Sequence, residues 1–170
     1  MRTGSWTPVT AFFSGRDRER KLEIMKDSRV GSNGVVGFVF LTLLKWQLIA
    51  HVNPTILLQF LFFMPIISRY SLVLSIRLFH YARPEGMGKA FAVYSPKQTL
   101  LWTTLITLLP AIYFHWLYAI FLGLGILINL VLNSYISKHL GGVTGDTYGF
   151  VIESSELILV LAAVAVGITL

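Results

Sequence analysis

The sequence predicts an all-α, polytopic integral membrane helix bundle of about five transmembrane helices, and three observations carry that expectation. Of 170 residues, 55% are hydrophobic and only 13% are charged, whereas a soluble domain carries about a quarter charged residues. The apolar residues fall into long runs separated by short polar connections. Lys and Arg gather in alternate connections, as they do on the retained side of a membrane protein.

Taken in order, residues 1–34 hold seven of the fourteen basic residues: Arg2, Arg16, Arg18, Arg20, Lys21, Lys26 and Arg29. From Arg16 to Lys26 charges of both signs are interspersed, with Leu22 and Met25 at i, i+3. One reading is a solvated juxtamembrane helix ended by Gly31 and Gly34. The other makes Lys26, Asp27 and Arg29 ligands for phosphate or metal. The first span is then residues 35–52 and the second residues 54–79. In the next connection Pro84, Gly86 and Gly88 mark an irregular turn. Residues 99–136 form a continuous apolar stretch of 38 residues. As one straight helix they would reach about 57 Å, against a bilayer core of about 30 Å. A hairpin of two spans is expected, turning near residues 113–116, where aromatics and His115 suit the interface; Pro110 is the competing position. The last span is residues 147–170.

Connection 80–98 holds three basic residues (Arg83, Lys89 and Lys97), and connection 137–146 holds Lys138. The connections at 51–53 and at 115–116 hold none. This alternation predicts a multi-pass membrane protein with a cytoplasmic N-terminus and the three polar segments on the cytoplasmic face. The net charge of +6 is explained by the lipid bilayer, and no nucleic-acid partner is expected. Without Cys, disulfides, thiolate metal sites and Cys nucleophiles are excluded. His51, His80, His115 and His139 have no zinc-ligand spacing. No signal peptide is expected, because Trp6, Pro8 and Ser14 interrupt the first apolar stretch.

The chemistry concentrates where a glycine-rich turn meets the last span, Leu140-Gly-Gly-Val-Thr-Gly-Asp146. On a helix, Glu153 lies roughly 20° and Glu156 roughly 80° from Asp146, so the three carboxylates share one face. A charge at bilayer depth costs about 2.5–3.5 kcal/mol on insertion scales, so such groups need partners or a polar cavity. A site for divalent cations or a phosphorylated ligand is the economical reading. Gly141, Gly142 and Gly145 do not form a P-loop, since Gly145 is followed by Asp146 rather than by Lys. They would let backbone amides approach a phosphate at a helix start. Asp146 alone could instead be an N-cap. Lys45 in the first span and Arg69 in the second are charges that need anions, either this chain's carboxylates or a substrate phosphate. For Lys45, an ion pair with Glu156 or a neighbouring carboxylate stands beside a catalytic role.

Three segments then resemble a known family: Leu22-Glu-Ile-Met-Lys-Asp-Ser-Arg-Val-Gly31, Tyr81-Ala-Arg-Pro-Glu-Gly-Met-Gly88, and Leu140-Gly-Gly-Val-Thr-Gly-Asp-Thr-Tyr-Gly149 with Glu153 and Glu156. They are similar to the cobalamin synthases, the adenosylcobinamide-GDP ribazoletransferases, over residues 15–170. The resemblance implies a Mg²⁺-dependent inner-membrane transferase of cobalamin biosynthesis. It would join α-ribazole, or its 5′-phosphate, to adenosylcobinamide-GDP and release GMP. Asp146, Glu153, Asp27 and Glu156 would be the metal-ligand candidates, and Lys45 and Arg69 the catalytic ones. Lys26, Arg29, Arg83, Gly141, Gly142 and Gly145 would face substrate, and a homo-oligomer is compatible with this reading. The family carries an Asp-rich motif upstream of the first segment, whereas residues 1–14 hold no Asp or Glu. An atypical segment 1–14, produced by truncation or a frameshift, is therefore expected, joined to a family-like membrane domain at 15–170. Without that motif the chain is expected not to turn over. The alternatives are a small membrane transporter or channel component, a lipid-linked phosphotransferase, and an inactive fragment.

Overall fold

The computed structural model describes Leu22 and residues 32–84 and 86–169. Five helices follow along the continuous part: α1 (Ser32–Ala50), α2 (Pro54–Leu78), α3 (Met87–Tyr94), α4 (Thr99–Leu140) and α5 (Gly145–Thr169). Among the described residues no strand forms, and one parallel bridge links Tyr81 to Val143. Segments 54–78, 116–140 and 145–167 are long and apolar enough to cross a membrane, and 34–50 and 99–113 are shorter apolar helices. The protein is an all-α membrane helix bundle.

Local chemistry sets the ends. Asn53 caps α2, its Oδ1 accepting from the Thr55 amide at 3.0 Å, and Pro54 opens the first turn, where no amide donor is needed. α4 stops at Gly141, which adopts φ 71° while its amide donates to Ser137 O, a left-handed cap suited to glycine. α3 forms inside the connection whose Pro and Gly pattern predicts an irregular turn.

α4 is helical from Thr99 to Leu140, yet its path doubles back. Tyr70 of α2 shares a hydrogen bond with Thr104, while Ser71, the next residue, accepts one from Asn129. A straight helix would hold Thr104 and Asn129 about 37 Å apart, so they could not both reach adjacent residues of α2. The Tyr118 hydroxyl also donates to Thr107 O at 2.5 Å. The reversal therefore lies between Thr107 and Tyr118, an interval that contains both Pro110 and residues 113–116. The hairpin expected from length stands, with Thr99–Tyr113 and Trp116–Leu140 as its two arms.

The second arm of α4 runs beside α2. Phe60 and Phe63 pack on Phe121 and Tyr118, with ring centroids 5.6 and 4.9 Å apart. A Cβ at Gly125 would lie 2.3 Å from Ile67 Cγ2, so only glycine permits this approach, a common device in membrane packing. Toward the other end, the buried Asn129 and Asn133 both donate to Ser75 Oγ, at 2.8 and 2.9 Å. Leu159, Val160 and Ala163 of α5 complete the main core.

Candidate functional site

α5 begins with a reciprocal cap. The Thr147 amide donates to Thr144 Oγ1 at 3.3 Å, and the Thr144 amide donates to Thr147 Oγ1 at 2.8 Å, which satisfies two donors at the helix start. Thr144 therefore does the capping, not Asp146. Asp146 sits in the first turn, where the helix dipole favours a carboxylate, and its Oδ2 accepts from Arg83 Nη2 at 2.9 Å.

The glycine turn is tied to the α2–α3 connection by two backbone bonds of 2.8 Å, Ala82 N–H to Val143 O and Val143 N–H to His80 O. Gly142 has φ 145°, and a Cβ there would lie 2.4 Å from His80 O. Its conformation and its clearance both demand glycine. The amides of Gly141, Val143 and Thr144 donate to Ser137 O, His80 O and Thr147 Oγ1. The turn thus brings Arg83 to Asp146, a pairing across 63 residues that no local spacing reveals.

A second cluster lies deeper. Lys45 Nζ donates to Glu153 at 2.6 Å and to Glu156 Oε2 at 2.9 Å. Glu156 Oε1 accepts from Ser68 at 2.9 Å and from Arg69 Nη1 at 2.5 Å. Glu156 is eleven positions into α5, about 16 Å along its axis. The side chains of Lys45 and Glu156 are only 13% and 12% exposed, whereas that of Arg69 is 62% exposed. The three carboxylates of one helix face therefore fall into two tiers, Asp146 with Arg83 at the rim and Glu153 and Glu156 with Lys45 and Arg69 below. The intramembrane pairing considered for Lys45 is present, and so is a carboxylate partner for Arg69. Lys26, Asp27 and Arg29 lie outside the described residues.

Among the described residues, no group of three or more His, Asp or Glu side chains converges to hold a metal. Both oxygens of Glu156 are engaged. Asp146 Oδ1 and Glu153 Oε1 have no partner among the hydrogen bonds described, and they are the hard oxygens Mg²⁺ prefers. The donor set fits the ion as part of a site, not as the whole of one.

The profile of the cobalamin-5-phosphate synthase family matches residues 9–164. Among similar proteins, one from Thermoanaerobacter sp. (strain X514) is 35% identical over 160 residues, covering 92% of this chain and 64% of the relative. One from Caldanaerobacter subterraneus subsp. tengcongensis is 36% identical, covering 86% of this chain and 60% of the relative. One from Desulfitobacterium hafniense is 34% identical, covering 94% and 65%. Each is named an adenosylcobinamide-GDP ribazoletransferase. The chain thus spans roughly two thirds or less of the length of these relatives. No solved structure matches. With the match covering most of a chain that folds as a membrane helix bundle, the protein belongs to the cobalamin-5-phosphate synthase family.

Proposed function

We propose that this chain serves the reaction for which its relatives are named, joining α-ribazole or its 5′-phosphate to adenosylcobinamide-GDP in the inner membrane. A ribose hydroxyl attacks the phosphorus nearer the cobinamide; a new P–O bond forms, the bond to GMP breaks, and the hydroxyl proton passes to solvent water. One observation carries the reading: Asp146 and Arg83, a hard-oxygen ligand and a phosphate-binding guanidinium, are held together by the Tyr81–Val143 bridge.

Mg²⁺, when bound, would neutralise charge on the phosphoanhydride. Asp146 and Glu153 are the described residues that would hold it, with Asp27 as the further candidate. Glu156 is left out of that set because Lys45, Ser68 and Arg69 occupy its oxygens. Arg83 would orient a phosphate through a donor that Asp146 does not take, and the exposed Arg69 offers a second guanidinium. Lys45 fixes Glu153 and Glu156 and so keeps the α1–α5 contact in register. Lys26 and Arg29 remain candidates for substrate. The cytoplasmic face is proposed for the rim tier, where nucleotide is available.

The transporter alternative would need charges spaced along a pore; the two tiers are instead closed ion pairs. The test follows GMP release in membranes from adenosylcobinamide-GDP, with α-ribazole and Mg²⁺. It uses the chain alone and the chain fused behind the family's Asp-rich segment. Release from either form that disappears in Asp146→Asn supports the reading. Release from neither, or full release in Asp146→Asn, refutes it.

A further inference from the structure

A groove of about 370 Å³ lies between the last turns of α2, α3 and the start of α4. Its walls are Val73 and Ile76 of α2 with Ala90, Phe91 and Tyr94 of α3, and Arg77 is the charged residue of its described lining. Because α2 ends at Leu78 and α4 begins at Thr99, the groove sits where apolar spans give way to polar connection.

The helix on its flank is built for that boundary. α3 leaves Phe91, Val93 and Tyr94 exposed by 65%, 61% and 82%, and Lys89 and Lys97 stand on either side of them. Apolar side chains bordered by cations mark a segment that lies in the bilayer interface. Its rings meet the acyl chains and its ammoniums reach the headgroups.

The charge balance of this region is positive. Three acidic residues are described, and each is engaged: Asp146 by Arg83, Glu153 by Lys45, and Glu156 by Lys45 and Arg69. Residues 77–98 hold Arg77, Arg83, Lys89 and Lys97 against Glu85, which lies outside the described residues. No Asp or Glu follows until Asp146. With Arg83 given to Asp146, the segment keeps a cationic excess whatever Glu85 pairs with. Arg77 itself spends Nη2 on a neutral partner, Lys97 O, at 3.0 Å. That bond fixes the guanidinium at the groove and leaves Nη1 and Nε for an oxygen anion, which a guanidinium can grip through two N–H groups.

We propose that this groove seats an anionic phospholipid, with its headgroup phosphate on Arg77 and an acyl chain along Val73, Ile76, Phe91 and Tyr94. Basic pockets between membrane helices at the interface take such headgroups. A zwitterionic lipid would fit the same walls, but its own cation would meet the positive segment. A soluble phosphate would satisfy Arg77 and leave the walls uncovered. The groove shares no lining residue with the Asp146–Arg83 rim or the Lys45–Glu156 tier, so lipid binding stands apart from the transferase reading.

The full chain is purified in mild detergent and its retained lipids are weighed by native mass spectrometry. Phosphatidylglycerol and phosphatidylcholine of the same acyl chains compete for it. The parent is expected to prefer phosphatidylglycerol, and Arg77→Gln should reduce that preference about fivefold, the scale of one juxtamembrane cation. Lys138→Gln, an exposed cation outside the groove, should leave it unchanged. Phe91→Ser alters an exposed wall residue, so the bundle should still fold, and it should weaken retention of phosphatidylglycerol severalfold. Glycerophosphoglycerol, the headgroup without chains, should not displace the lipid. Equal retention of both lipids by the parent would mean an ordinary lipid shell and overturn the proposal. A preference within twofold of the parent in Arg77→Gln, or an equal loss in Lys138→Gln, would do the same by reducing the effect to diffuse charge. Displacement by glycerophosphoglycerol, or full retention in Phe91→Ser, would remove the acyl-chain wall and with it the lipid assignment.

Discussion

At the scale of single residues, the deeper tier is an energetic commitment. Lys45 holds a largely buried Glu156 and a half-exposed Glu153. Removing one partner of a buried pair strands the other, at about 3–5 kcal/mol. Lys45→Met is therefore expected to destabilise the bundle by roughly that amount, discounted for the exposed half of Glu153. Lys45→Arg, which keeps the charge, should cost far less; unfolding in mixed micelles read by tryptophan fluorescence measures both. Gly142→Ala should cost about 1–3 kcal/mol through its left-handed conformation, and more if the His80 carbonyl cannot yield, by the same assay. The needs of Lys45 and Arg69 were legible in the sequence, because a charge inside an apolar run must find an anion. Which anion was not legible. Glu153 and Glu156 are 108 and 111 positions from Lys45, and only the packing of α1 on α5 joins them. Asp146 taken alone read as a cap and beside Glu153 and Glu156 as a ligand, and a threonine two positions earlier turned out to do the capping.

At the scale of elements, length and apolarity located α1, α2 and α5 to within two or three residues, and the bilayer thickness argued α4 into two arms. What the sequence could not supply was how α4 turns, since neither Pro110 nor the aromatic residues near 113–116 carry a turn signal strong enough to break a helix. α3 was missed for a different reason. It has eight residues, begins at a glycine, and sits in a connection whose Pro and Gly pattern reads as loop. The folded-back α4 is testable with spin labels at Leu101 and Val131, both exposed. A straight helix would separate these positions by about 45 Å. Arms packed at about 10 Å should bring them within about 25 Å. A double electron–electron resonance distance near the longer value would remove the hairpin and the packing of both arms on α2.

At the scale of the whole molecule, the polar connections assemble at one end. The Arg77 guanidinium donates to Lys97 O at 3.0 Å, so the end of α2 meets the start of α4. The backbone bonds between His80, Ala82 and Val143 join that region to the α4–α5 turn. At the opposite end, Asn53 Nδ2 contacts Gly167 O at 3.5 Å, which sets the connection at 51–53 beside the far end of α5. That connection has no Lys or Arg, whereas 80–98 has three, so geometry and charge divide the molecule along the same line. Positive charge is retained on the cytoplasmic side, and the hypothesis is that the rim tier faces the cytoplasm. Because the chain has no Cys, single cysteines report sidedness directly. Ser95→Cys should react with a membrane-impermeant maleimide in inverted vesicles and not in intact spheroplasts, and His51→Cys should do the opposite. If Ser95→Cys is labelled from outside, the rim tier lies away from nucleotide and the proposed site loses its supply of substrate. Labelling of both positions from one side would mean that α2 does not cross the bilayer, and the bundle would have to be rebuilt around α4 and α5.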